Sequence, residues 1–172
     1  MEMLTKLPEL QSLNISNNRG ISGAQLKSDW EKFIDGNSGD KIQILYMGYN
    51  NLIEFPKEES LKKMVKLGLL DCTNNQIEKL HPFGKSVNLV KLYLDNNKIK
   101  EIPHAADGFF CGYNDVEIFS CSGNQITVFP NIFNAKSKYV MASVDFSNNL
   151  IREFEDGANF RGVNVANLNL SN

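Results

Sequence analysis

The sequence predicts an α/β solenoid, with a curved parallel sheet on its concave side and short helices and irregular segments on its convex side. Three observations predict it. An apolar pattern recurs along the chain, an asparagine closes each copy at the same place, and successive asparagines lie about one coil apart. The pattern is plainest in Leu89, Leu92, Leu94, Asn97 and Ile99. Ile42, Leu45, Met47, Asn50 and Leu52 fill the same five slots, as do Leu67, Leu70, Cys72, Asn75 and Ile77. Val116, Phe119, Cys121, Asn124 and Ile126 follow, then Met141, Val144, Phe146, Asn149 and Ile151. Leu10, Leu13, Ile15 and Asn18 begin a further copy, with Gly20 as an extra residue before Ile21. The chain has 42% hydrophobic residues and 22 asparagines in 172 positions. Random order would give about 0.6 such matches, far fewer than are present.

Asn18, Asn50, Asn75, Asn97, Asn124 and Asn149 are separated by 32, 25, 22, 27 and 25 residues. One coil therefore takes about 25 residues, with the insertion concentrated in the first. In each coil the first three apolar slots belong in and beside a short strand and point inward. A single repeat cannot bury that face, whereas stacked repeats share one core. The six asparagines form an expected structural ladder. Each closes the turn after its strand, where its amide satisfies backbone groups that would otherwise be buried unpaired. An aspartate would bring a charge to that place, and a leucine could not hydrogen-bond.

The elements follow in order. In coil one, Ser22 and Gln25 have capping-box spacing. Leu26, Trp30, Phe33 and Ile34 then fall on one face of a helix that Gly36 is expected to end. Asn37 to Asp40 reads as a loop. Coil two returns through Pro56 and a short helical stretch, Ser60 to Met64. Coil three returns through Leu80 to Lys85, too short and broken for a helix. Coil four returns through Pro103 to Tyr113, with Phe109 and Phe110 filling the convex side. Coil five runs from Pro130 to Tyr139 with Ile132 and Phe133 inward, and coil six from Glu155 to Gly162 is polar. Val165, Leu168 and Leu170 fill three slots of a seventh, truncated coil.

Residues 1–172 thus read as a single domain of about six coils plus a truncated seventh. Neither end carries the polar cap that a soluble solenoid needs, so the chain is expected to be a fragment of a longer solenoid. Net charge is −2 and the pI about 5.7, with no basic run, so no nucleic-acid footprint is expected. No apolar run approaches the length of a membrane span, and Met1 to Lys6 does not read as a signal peptide. Three cysteines are too few for a disulfide framework. Cys72 and Cys121 occupy apolar slots and read as inert buried thiols, and Cys111 reads as a free thiol in a connecting segment.

The chain resembles the leucine-rich-repeat family from about Leu7 to Asn172. The tails Leu52-Ile53-Glu54-Phe55-Pro56, Ile99-Lys100-Glu101-Ile102-Pro103 and Ile126-Thr127-Val128-Phe129-Pro130 sharpen the likeness. The stretches Asn14 to Gly23 and Gly48 to Leu52 look like the large secreted or surface repeat proteins of Gram-negative gut commensal bacteria. That resemblance implies a secreted or cell-surface setting.

No catalytic or metal-binding motif is present. His81 and His104 are the only histidines and fall in convex loops. The pairs Glu58-Glu59 and Glu153/Glu155 read as solvated charge on the outer side. No enzyme, cofactor or metal is expected. The informative residues alternate with the inward ones, because strand side chains point to opposite faces at period two. The central concave column is then Asn14, Tyr46, Asp71, Tyr93, Ser120, Asp145 and Asn169. Ile44, Leu69 and Ile118 lie in the column before it, and Asp95 in the column after. With Tyr49, these give an expected partner site of Ile44, Tyr46, Tyr49, Leu69, Asp71, Tyr93, Asp95 and Ile118. Tyrosines offer large contact area at small rotamer cost. The reading is a non-enzymatic module whose concave face binds a protein, peptide or glycan. The alternative is a structural spacer with no ligand on that face. An enzyme, or an enzyme's substrate-binding arm, is the remaining alternative, and it would need a cleft of converging titratable groups.

Overall fold

The structure, a computed structural model, describes residues 6–55, 57–81, 88–103, 116–131, 139–156 and 163–172. Its strands are β1 (Ser12–Asn14), β2 (Ile44–Tyr46), β3 (Leu69–Asp71), β4 (Lys91–Tyr93), β5 (Ile118–Ser120), β6 (Val128–Phe129), β7 (Tyr139–Asp145), β8 (Glu153–Phe154) and β9 (Val163–Asn169). Seven of them form one sheet in the order β1-β2-β3-β4-β5-β7-β9. Every pairing in it is parallel. Each coil adds one strand beside the last, so sequence order and spatial order coincide.

The register keeps the slots in line. Leu13, Leu45, Leu70, Leu92, Phe119, Val144 and Leu168 face one another in turn across the sheet. From Leu45 to Val144 these side chains are fully buried, as are Met47, Cys72, Leu94, Cys121 and Phe146 of the third slot. Phe146 packs edge-on against Phe119 and Phe129, with centroids 5.3 and 5.1 Å apart. The apolar residue before the tail proline also turns inward, so Phe55, Ile102 and Phe129 are buried. An inner coil has a neighbour on both sides. The outermost strands have one, and Leu168 is accordingly 42% exposed.

Helix α1 (Gly23–Phe33) begins where capping chemistry places it, with the Gln25 N–H donating to Ser22 Oγ at 3.2 Å. Only half of the capping box forms, because the Gln25 side chain donates to Asp29 instead. Leu26, Trp30 and Phe33 bury one face. Gly36 does not end the helix. The chain widens into a π turn, Ile34–Ser38, and tightens into a 3₁₀ turn, Gly39–Lys41, so the expected loop after Gly36 is helical. The wide turn brings Gly39 back onto Ile34, where a Cβ would stand 3.0 Å from the Ile34 carbonyl oxygen.

The second helix, α2, spans Glu58–Leu61 rather than Ser60 to Met64. Its last turn closes through bonds from Lys63 N to Ser60 O and from Met64 N to Leu61 O. That places Leu61 and Met64 both inside. Outside the main sheet, β6 and β8 pair as a small parallel ribbon that no sequence pattern marks. There Glu155 is not simply solvated charge, because its carboxylate accepts from the Asn131 N–H at 2.7 Å. Phe109, Phe110, Ile132, Phe133, His104 and Cys111 lie outside the described residues, with most of the return segments of coils three to six.

Candidate functional site

In the concave face β1 to β5 are three residues long, and the longer β7 and β9 end in the equivalent three, Ser143 to Asp145 and Asn167 to Asn169. The middle residue of each goes into the core, so its two neighbours face outward. Pairing then makes rows. Ser12, Ile44, Leu69, Lys91, Ile118, Ser143 and Asn167 form the leading row, and Asn14, Tyr46, Asp71, Tyr93, Ser120, Asp145 and Asn169 the central one. Tyr46, Asp71 and Tyr93 are therefore neighbours on strands about 4.8 Å apart. All three are half-buried, as are Leu69, Asp95 and Ile118, whereas Ile44 is more open at 36% exposed. Burial raises the pKa of the Tyr93 hydroxyl, and the charges of Asp71, Tyr46 and Asp95 push it further in the same direction.

Tyr49 stands off these rows. It occupies the turn after β2 with φ +56, is 44% exposed, and lies under the Arg19 guanidinium, 5.8 Å from its ring centroid. The same left-handed position in the other coils holds Asn17, Asn74, Asn96, Gly123 and Asn148. Glycine and asparagine adopt that backbone readily, and a tyrosine does so at a cost.

The carboxylates also have a local duty that sequence reasoning missed. Asp71 Oδ1 accepts from Thr73 N at 2.9 Å, as Asn14 does from Ser16, Asp145 from Ser147 and Asn169 from Ser171. Coil five has Ser120 in the central row. There the Ser122 N–H reaches across to Asp95 Oδ1 at 2.8 Å, joined by the hydroxyls of Ser122 and Ser120. The signal was readable: a residue with a side-chain oxygen two places before a turn N–H is an Asx-turn pattern.

The ladder asparagines sit just behind this face. Asn97 Nδ2 donates to Leu94 O in its own coil and to Cys72 O in the preceding one, each at 3.0 Å, while its Oδ1 accepts from Ile77 N. Asn50, Asn75, Asn124 and Asn149 repeat that geometry and are likewise buried. Asn18 is exposed, and among the described residues its amide donates within its own turn, to Ile15 O and Ser16 O.

At the leading end of the strands lies a shallow groove of about 280 Å³, floored by Ile44, Leu69 and Val90 and flanked by Lys66 and Lys91. Among the described residues no three His, Cys, Asp or Glu side chains converge as metal ligands. No described helix is long and apolar enough to cross a membrane.

Residues 69–106 match the family of leucine-rich repeats in two copies. The fold is similar to a leucine-rich repeat protein from Bacteroides eggerthii, with TM-score 0.84 and 49% identity over 98% of this chain and 28% of that one. It is similar also to one from Bacteroides thetaiotaomicron, with TM-score 0.81 and 51% identity over 97% and 20%. Mouse lumican is 29% identical over 88% of this chain and 47% of its own length, and human lumican 32% over 64% and 32%. The chain thus spans less than half of each of these relatives.

Proposed function

Because the chain belongs to the leucine-rich-repeat family, we propose that it is a non-enzymatic docking module whose concave face holds a protein, peptide or glycan partner. One observation carries the proposal. Tyr46, Asp71 and Tyr93 form a continuous row in the middle of the sheet, with Ile44, Leu69 and Ile118 beside it. Two phenols flanking a carboxylate suit a ligand that has an apolar face and a hydrogen-bond donor. We further propose a secreted or cell-surface setting, on the resemblance of Asn14 to Gly23 and Gly48 to Leu52 to secreted or surface repeat proteins, checked by protease shaving of intact host cells.

The test begins with a partner recovered on peptide and glycan arrays. Tyr93→Ala is expected to lower affinity at least about 30-fold, as a hot-spot truncation does. Half-buried Tyr93 contributes little to the core, so stability is expected to move by about 1 kcal/mol or less. Full binding by the Tyr46→Ala/Tyr93→Ala double variant would sink the concave-face proposal and make the convex loops the candidates.

A further inference from the structure

We propose that the occupant of the concave face is an extended protein segment carrying a lysine or arginine two positions from an apolar residue. This rests on the concave docking role above and specifies its ligand. The concave rows carry three carboxylates, Asp71, Asp95 and Asp145, against one cation, Lys91. Among the described residues none of the three aspartates forms an ion pair. Asp145 is bonded through both oxygens, to Ser147 N and to the Asn169 amide. Asp71 and Asp95 differ: every hydrogen bond each makes to described residues falls on Oδ1. Their Oδ2 atoms remain to accept from a ligand.

Two features make this a recognition surface for a cation rather than a solvated pair of acids. First, Tyr93 lies beside Asp71 across the sheet and two residues before Asp95 in its own coil, with Tyr46 on the far side of Asp71. Aromatic faces beside carboxylates suit an ammonium or guanidinium, which gains from both. Second, the apolar groove of Ile44 and Leu69 sits two residues earlier on the strands, about 6.6 Å away. That matches the spacing of alternate side chains on an extended peptide. Lys66 and Lys91 beside the groove repel a cation there, so charge orients the segment along the strands.

The probe is a random peptide display library panned on the full chain, with selected peptides remade for titration. Asp71→Asn/Asp95→Asn is the informative variant. Asn14 and Asn169 make the Asp71 turn bond in their own coils, and an asparagine at position 95 keeps an Oδ1 acceptor for Ser122 and Ser120, so the substitution keeps these bonds and removes charge. Selected peptides are expected to carry Lys or Arg two places from an apolar residue. Their affinity should fall at least about tenfold in the variant and weaken with added salt. Peptides lacking such a cation, or binding the variant within about twofold of wild type, overturn the inference. If such binding is still lost in Tyr46→Ala/Tyr93→Ala, the concave role stands and the cation assignment alone fails. A glycan array ligand that needs the tyrosines, with no peptide selected, has the same consequence. Binding insensitive to the tyrosines sinks both.

Discussion

Asn97 shows what a single residue does in this molecule. Its amide joins four backbone groups in two coils, three of them in buried bonds. Asn97→Ala leaves them unpaired in a cavity too small to rehydrate freely. It is expected to cost about 1–3 kcal/mol in urea denaturation, and a value inside the surface range of about 0.5 kcal/mol would contradict the ladder. Tyr49 is the opposite case. A left-handed backbone costs an ordinary residue about 1–2 kcal/mol, and the exposed contact with Arg19 returns about 0.5–1 kcal/mol. Tyr49→Asn is therefore expected to raise stability, by about 0.5–1 kcal/mol, measured as a shift in the urea midpoint at constant slope.

At the scale of elements, three-residue strands have little pairing of their own and depend on the neighbouring coil. Helix α1 is different, because local signals define its start. Ser22 caps it and Leu26, Trp30 and Phe33 anchor it. Ser22→Ala is expected to cost about 1 kcal/mol, read from the thermal midpoint, with the sheet signal in circular dichroism unchanged below the transition. Its far end was not legible in the same way. Gly36 looks like a stop, yet the burial of Phe33, Ile34 and Gly39 holds the chain in helical turns past it.

The whole molecule is a stack in which buried groups answer to coils on both sides. Cys72 and Cys121 are fully buried, and burial pushes both thiols well above their ordinary value of 9.0, with Asp71 and Asp95 adding to it. The folded state therefore keeps protons that the unfolded chain releases above pH 9. The associated stability is whole below that pH and is lost as pH rises past it. The slope approaches about 1.4 kcal/mol per pH unit for each thiol. Denaturation between pH 8 and 10 is expected to show this fall, and Cys72→Val/Cys121→Val to flatten it. Native Ellman titration is expected to leave both thiols unlabelled, since they are neutral and enclosed.

The sequence by itself determined the solenoid, the inward slots and the rows of the concave face. All of these follow from a period of two within each strand and a repeat near 25 residues between strands. Both are periods readable along the chain, so Tyr46, Asp71 and Tyr93 could be put in one row without coordinates. Only the tertiary structure decided which oxygen of Asp95 is occupied, since its partners Ser120 and Ser122 lie 25 and 27 residues away. It also decided that Tyr49 leaves the rows for a left-handed turn, and that β6 pairs with β8. Two-residue strands have no periodicity to read, and a turn's handedness depends on hydrogen bonds to the next coil, such as Tyr49 N to Thr73 O at 2.9 Å. Contacts made between coils are written in the stacking, and no local pattern of residues carries them.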